Sequence, residues 1–197
     1  MSCINCEDTH LFILSGQSNM ARMPLNFFSN AINGEVGTNH TIFVKHAIGG
    51  LEIKWWDEQL NGRVYKTLIK KVKIAIDGRN ITSIDFIWKQ GGSDIFQRKV
   101  SKYLHGFDNV YNQLNRDLGM PFKLIVGQLN RYQQTPEWKK MEGVNREIVE
   151  KYPNAYLIRT DDVDGGLQPL HYTYPGYKII AERYAAISLQ SICTREI

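Results

Sequence analysis

Leu11-Phe12-Ile13-Leu14-Ser15-Gly16-Gln17-Ser18-Asn19-Met20 decides how this chain is read. Four consecutive apolar residues suit a strand buried on both faces, and the Gly-Gln-Ser-Asn that follows is too polar and turn-prone to extend it. A strand feeding a tight turn that opens a helix points a serine hydroxyl outward. It also surrounds that hydroxyl with amide N–H groups able to hold a developing oxyanion. Ser18 is therefore the candidate nucleophile. The pattern is not Gly-x-Ser-x-Gly, so the α/β-hydrolase elbow is not matched.

Outward from this stretch, short apolar segments recur at about 41–47, 82–89, 121–127 and 155–159, and helical patterns fall at about 63–77, 95–118, 136–151 and 174–190. Continuous apolar strands separated by helices imply a parallel sheet covered on both faces. The expectation is an α/β fold: a three-layer α/β/α sandwich, flavodoxin-like, with a mostly parallel five-stranded sheet and one domain over residues 1–197. Residues 1–9 read as a flexible N-terminus. In such sheets the ligand crevice lies beyond the carboxyl ends of the strands, where Ser18, Gly50, Gln90 and the turn Gln128-Leu129-Asn130-Arg131 would converge.

Gly16-Gln17-Ser18-Asn19-Met20 resembles the first block of the SGNH/GDSL hydrolase superfamily, in the form found in sialate O-acetylesterases and related carbohydrate acetylesterases. Ala47-Ile48-Gly49-Gly50-Leu51-Glu52-Ile53 is similar to the second block, whose glycine lends an N–H to the oxyanion hole. Trp88-Lys89-Gln90-Gly91-Gly92-Ser93-Asp94 is similar to the third, Trp-x-Gln-Gly-Glu-Ser-Asp, and His171 with Pro175-Gly176-Tyr177 to the terminal block that carries the base. The resemblance implies a metal-independent esterase without cofactor, acting on an acetylated carbohydrate or other small ester. Ser18 is then the nucleophile, His171 the base, and Gly50 and Gln90 oxyanion donors; Gln17, Asn19, Arg22, Asp94 and Gln128 are the candidate substrate contacts of this chain.

Two positions depart from the family pattern. Gln168 stands three before His171, where the family has the aspartate that orients the imidazole, and Gly92 replaces the glutamate of the third block. An amide oxygen at Gln168 can still accept from Nδ1 of His171, but without the charge. Asp161, Asp162 and Asp164 lie in the same loop, and Asp164 is the preferred stand-in. Weakened catalysis is the expectation. The rivals are a silent glycan-binding relative and a lipase or thioesterase of the same superfamily. Arg22, four positions past Ser18, is placed to meet a carboxylate and suggests an acidic sugar such as an O-acetylated sialic acid.

Composition adds exclusions. With 197 residues, 43% hydrophobic and 22% charged, the chain can build a real core and does not read as disordered. The net charge of +4 is mild, and Lys66, Lys70, Lys71 and Lys73 read as the solvated face of one helix, so nucleic acid is not an expected partner. Cys3 and Cys6 precede the first strand and Cys193 is the only other cysteine, which leaves no second pair for a zinc site. The start of the chain has neither a basic segment nor an apolar stretch of signal-peptide type, and no run approaches a membrane span. The expectation is a cytoplasmic protein without a membrane partner, though a viral or non-classically released protein would carry the same features.

Overall fold

The computed structural model describes residues 8–130, 135–163 and 170–192. Five strands, β1 (His10–Gly16), β2 (Thr41–Ala47), β3 (Ser83–Lys89), β4 (Lys123–Gly127) and β5 (Ala155–Ile158), form one sheet in the order β2-β1-β3-β4-β5. Every pairing is parallel, with His10 opposite Thr41 on one side and Ser83 on the other. The helices are α1 (Ser18–Arg22), α2 (Leu25–Val36), α3 (Arg63–Ile76), α4 (Gly92–Phe96), α5 (Val100–Leu118), α6 (Pro136–Lys151) and α7 (Tyr174–Ile192). Among the described residues no helix is long and apolar enough to cross a membrane.

The alternation of side chains along a strand divides the core. Leu11 and Ile13 of β1 join Trp56, Trp88, Phe107 and Trp138 on the face covered by α3, α5 and α6. Phe12 and Leu14 join Phe28, Ile32, Tyr177 and Tyr184 on the face covered by α2 and α7. Both faces are therefore apolar, which is why β1 reads as an unbroken hydrophobic run. Each fully buried Leu, Ile or Phe contributes about 1.5–3 kcal/mol relative to exposure.

Two helices differ from the sequence expectation. α2 was not expected, although Phe28, Ile32 and Val36 recur every four residues and are all buried. The expected helix 95–118 is broken: α4 ends at Phe96, Arg98 takes a positive φ of 53°, and α5 starts at Val100.

The sheet reverses its winding between β1 and β3, and the loops leaving these strands diverge to opposite faces and open a crevice. They are stitched tightly. Gly16 has φ 141°, and a Cβ there would stand 2.1 Å from the Lys89 carbonyl oxygen, so only glycine permits this approach. The Gln17 N–H donates to that same carbonyl at 2.9 Å, and the Ile48 N–H donates to the Gly16 carbonyl at 3.0 Å.

Candidate active site

Ser18 is the first residue of α1 and lines a cavity of about 160 Å³ at the crevice. Its other walls come from different elements: Gly50 after β2, Lys89 at the end of β3, Gly92, Ser93 and Phe96 of α4, Leu129 after β4, Trp138 of α6, and Leu170. His171 reaches Ser18 from the segment before α7, its Nε2 2.9 Å from Ser18 Oγ. That is hydrogen-bond distance for a nucleophile and its base. Burial, and then the charge of Arg22, push the His171 imidazolium below the usual histidine value. The ring is thus kept neutral, as a proton acceptor must be.

His171 Nδ1 is buried and has no hydrogen-bond partner among the described residues. Asp164 and Gln168, the two expected orienting groups, lie outside the described residues, as do Cys3, Cys6, Cys193 and Arg131. The other acids of that loop are engaged elsewhere: Asp161 with Arg159 at 2.7 Å and Asp162 with Arg183 at 2.6 Å.

The ring is instead steadied through its neighbours in the chain. Asn19 Nδ2 donates to the Leu170 carbonyl at 3.0 Å, and the Tyr177 hydroxyl donates to Asn19 Oδ1 at 3.0 Å. Asn19 lines the cavity, yet both ends of its amide are committed within the protein. Gln17 is similar. Its Nε2 donates to the Leu51 carbonyl at 2.5 Å, and its Oε1 accepts from the N–H groups of Gly91 at 3.1 Å and Ser93 at 3.4 Å. One side chain thereby fastens three loops around Ser18.

Three expected site residues sit differently. Gln90 was expected to aim its amide at the oxyanion, but Nε2 donates to the Leu51 carbonyl at 3.0 Å and to Asp94 Oδ2 at 2.7 Å. Both of its hydrogens are spent, and Gln90 does not line the cavity with Ser18. Asp94, expected near substrate, is 1% exposed and accepts from the Ile53 N–H at 3.1 Å. It holds the second loop in place, and burial pushes its carboxyl up to about 6. Gln128 is buried, its carbonyl accepts from Thr160 Oγ1 at 2.9 Å, and the cavity wall beside it is Leu129.

Gly50 lines the cavity in a left-handed conformation, φ 75°, while Gly49, which the sequence did not single out, lies against the nucleophile: a Cβ at Gly49 would stand 3.3 Å from Ser18 Cβ. Phe96, Trp138 and Lys89 also escaped the sequence reading. Arg22 is exposed and close enough for its charge to act on His171.

The profile of the family described as carbohydrate esterase, sialic acid-specific acetylesterase, matches residues 22–190. The chain belongs to this carbohydrate esterase family. The matched residues include Gly50, Gln90 and His171 and begin four positions after Ser18. No curated protein matches the chain in sequence. Among solved structures, a protein from Arabidopsis thaliana superposes with a TM-score of 0.78 at 18% identity, covering 94% of this chain and 100% of that one. A carbohydrate acetylesterase from Xanthomonas citri superposes at 0.72 and 14% identity, covering 95% of this chain and 57% of that one. A lipolytic G-D-S-L family member from Veillonella parvula superposes at 0.58 and 12% identity, covering 93% and 99%. At such identities the likeness establishes the shared fold, that of the SGNH/GDSL hydrolases.

Proposed function

We propose that this carbohydrate esterase removes O-acetyl groups from a sugar through an acyl-enzyme on Ser18, with His171 as base and then acid. The observation that carries the reading is the 2.9 Å approach of His171 Nε2 to Ser18 Oγ across the fold. His171 takes the hydroxyl proton as Oγ bonds to the acetyl carbonyl carbon, and the carbonyl electron pair moves onto oxygen. The tetrahedral intermediate collapses, the C–O bond to the sugar breaks, and the departing alkoxide takes the proton from His171. Water, deprotonated by the same ring, then cleaves the acetyl-enzyme and releases acetate. The N–H groups of Ser18 and Gly50 are the oxyanion donors, each worth about 2.7–4 kcal/mol in such sites. With the Gln90 amide spent elsewhere, the backbone carries this stabilisation.

The substrate we infer is an acidic sugar, with O-acetylated sialic acid as the fitting example. Arg22 supports this: it is exposed beside His171 and makes no ion pair among the described residues. A guanidinium takes a carboxylate bidentately. The test compares kcat/KM on O-acetylated acidic and neutral sugars for the wild type, Ser18→Ala and Arg22→Ala. The expected result is loss of all turnover in Ser18→Ala and a selective loss on the acidic sugar in Arg22→Ala. Turnover that survives Ser18→Ala overturns the mechanism, and an equal loss on both sugars in Arg22→Ala overturns the substrate. A wild type that binds the glycan without hydrolysing it would make the chain a silent binder.

A further inference from the structure

Lys89 is the last residue of β3 and is 2% exposed. The residue lines the cavity, and its side chain uses space left by Gly127, where an added Cβ would stand 3.3 Å from Lys89 Cδ. Nζ donates to the Gln128 carbonyl, and at 3.4 Å to the Tyr172 hydroxyl, while standing 5.0 Å from the centre of the Tyr172 ring. Thr160 closes the circuit. Its Oγ1 donates to the Gln128 carbonyl at 2.9 Å and shares a hydrogen bond with the Tyr172 hydroxyl at 2.7 Å.

Tyr172 follows His171 directly, and Leu170 precedes it. The base is therefore flanked by two anchored residues: Leu170, whose carbonyl is bonded by Asn19, and Tyr172, whose hydroxyl is held by Lys89 and Thr160. Among the described residues the ring itself bonds only Ser18 Oγ, through Nε2, and these flanking bonds hold the segment that carries it. We propose that Lys89 is a positioning residue of the site, tying the ends of β3 and β4 to the segment that carries His171. This rests on the esterase reading given above.

Fold stability does not explain the residue. A buried ammonium is costly to desolvate, and no carboxylate pairs with Lys89 among the described residues. Burial alone pushes it down to about 7. A methionine would fill the same space without that cost, and Thr160 would still bond the Gln128 carbonyl and the Tyr172 hydroxyl.

The experiment measures kcat and KM on 4-nitrophenyl acetate for the wild type, Lys89→Met, Tyr172→Phe and the double variant, with Ser18→Ala as the blank, together with thermal unfolding. Lys89→Met and Tyr172→Phe are each expected to lower kcat about tenfold or more, since small displacements of a catalytic group are costly, with KM within about twofold. The double variant should be no slower than the worse single one, because both residues act through one contact. Lys89→Met should also melt no lower than the wild type at neutral pH. An unchanged kcat in Lys89→Met overturns the proposal, as do losses that multiply in the double variant, or a fall in melting temperature that tracks the loss of activity. A wild type with no Ser18-dependent turnover overturns the esterase reading and this proposal together, whereas Ser18-dependent turnover untouched by Lys89→Met overturns this proposal alone.

Discussion

His171 Nε2 stands 2.9 Å from Ser18 Oγ although 153 positions separate the two residues in the chain. The sheet makes this possible. β1 delivers Ser18 to the crevice edge, β5 ends at the same edge, and the segment leading into α7 returns across it. Asn19, beside the nucleophile, then bonds the carbonyl beside the base.

Asn19→Ala tests that clamp. It leaves the Leu170 carbonyl and the Tyr177 hydroxyl without their partner, and stranding such buried groups costs about 1–3 kcal/mol. We expect a loss of stability of that order in urea unfolding and a fall in kcat of about tenfold or more, with KM little changed. A variant with a raised KM and an unchanged kcat would make Asn19 a substrate contact instead.

The pH profile follows from His171. Its imidazolium is lowered by burial and then by the Arg22 charge, so the ring stays neutral to a pH below the ordinary value of 6.5. The acid limb of kcat/KM should accordingly lie below pH 6.5 in the wild type. Removing a nearby cation favours the protonated ring, so Arg22→Ala should move the limb upward. A limb that stays in place, or moves downward, contradicts the placement of Arg22.

Lys89 gives stability its own pH dependence. The folded ammonium releases its proton at about 7 and the unfolded one at 10.5, so between these values the unfolded chain binds more protons. Stability from this group therefore rises with pH across that window, and its burial cost is fully present below it. Tyr172 and Tyr184, which lie against the same space, titrate above it. Urea unfolding at several pH values from 6 to 10 should show a rising component in the wild type that Lys89→Met lacks. Parallel profiles for the two proteins would contradict the buried cation.

Which group meets His171 Nδ1 is decided by two variants. An amide in place of the triad acid lowers kcat by about 10⁴ in serine proteases. We expect Asp164→Ala to lower kcat about tenfold or more and Gln168→Asp to change it little. A gain in Gln168→Asp with none lost in Asp164→Ala would transfer the role to residue 168, and no change in either would remove an orienting partner from this loop.

Much of the architecture was legible because strands buried on both faces leave uninterrupted apolar runs, as in Leu11–Leu14 and Leu124–Val126. α2 was less so: Asn26, Ser29, Asn30, Asn33 and Gly34 dilute its apolar stripe, and the packing of Phe28, Ile32 and Val36 outweighs that weak propensity. The pairing of Ser18 with His171 was readable from motifs, whereas the direction of the Gln90 amide was not, because it depends on the Leu51 carbonyl and Asp94. Lys89 was hidden by composition. Lysine is ordinarily exposed, and the glycine at 127, remote in sequence, leaves space beside the buried Lys89 side chain.

Covalent trapping tests the central claim most directly. Incubation with diisopropyl fluorophosphate, which phosphorylates activated serines, followed by intact-mass and peptide analysis, should show one adduct per chain, located on Ser18. The adduct should be lost in Ser18→Ala and formed far more slowly in His171→Ala. Absence of label from a folded wild type, or label on another residue while acetyl-ester hydrolysis persists, would contradict the account.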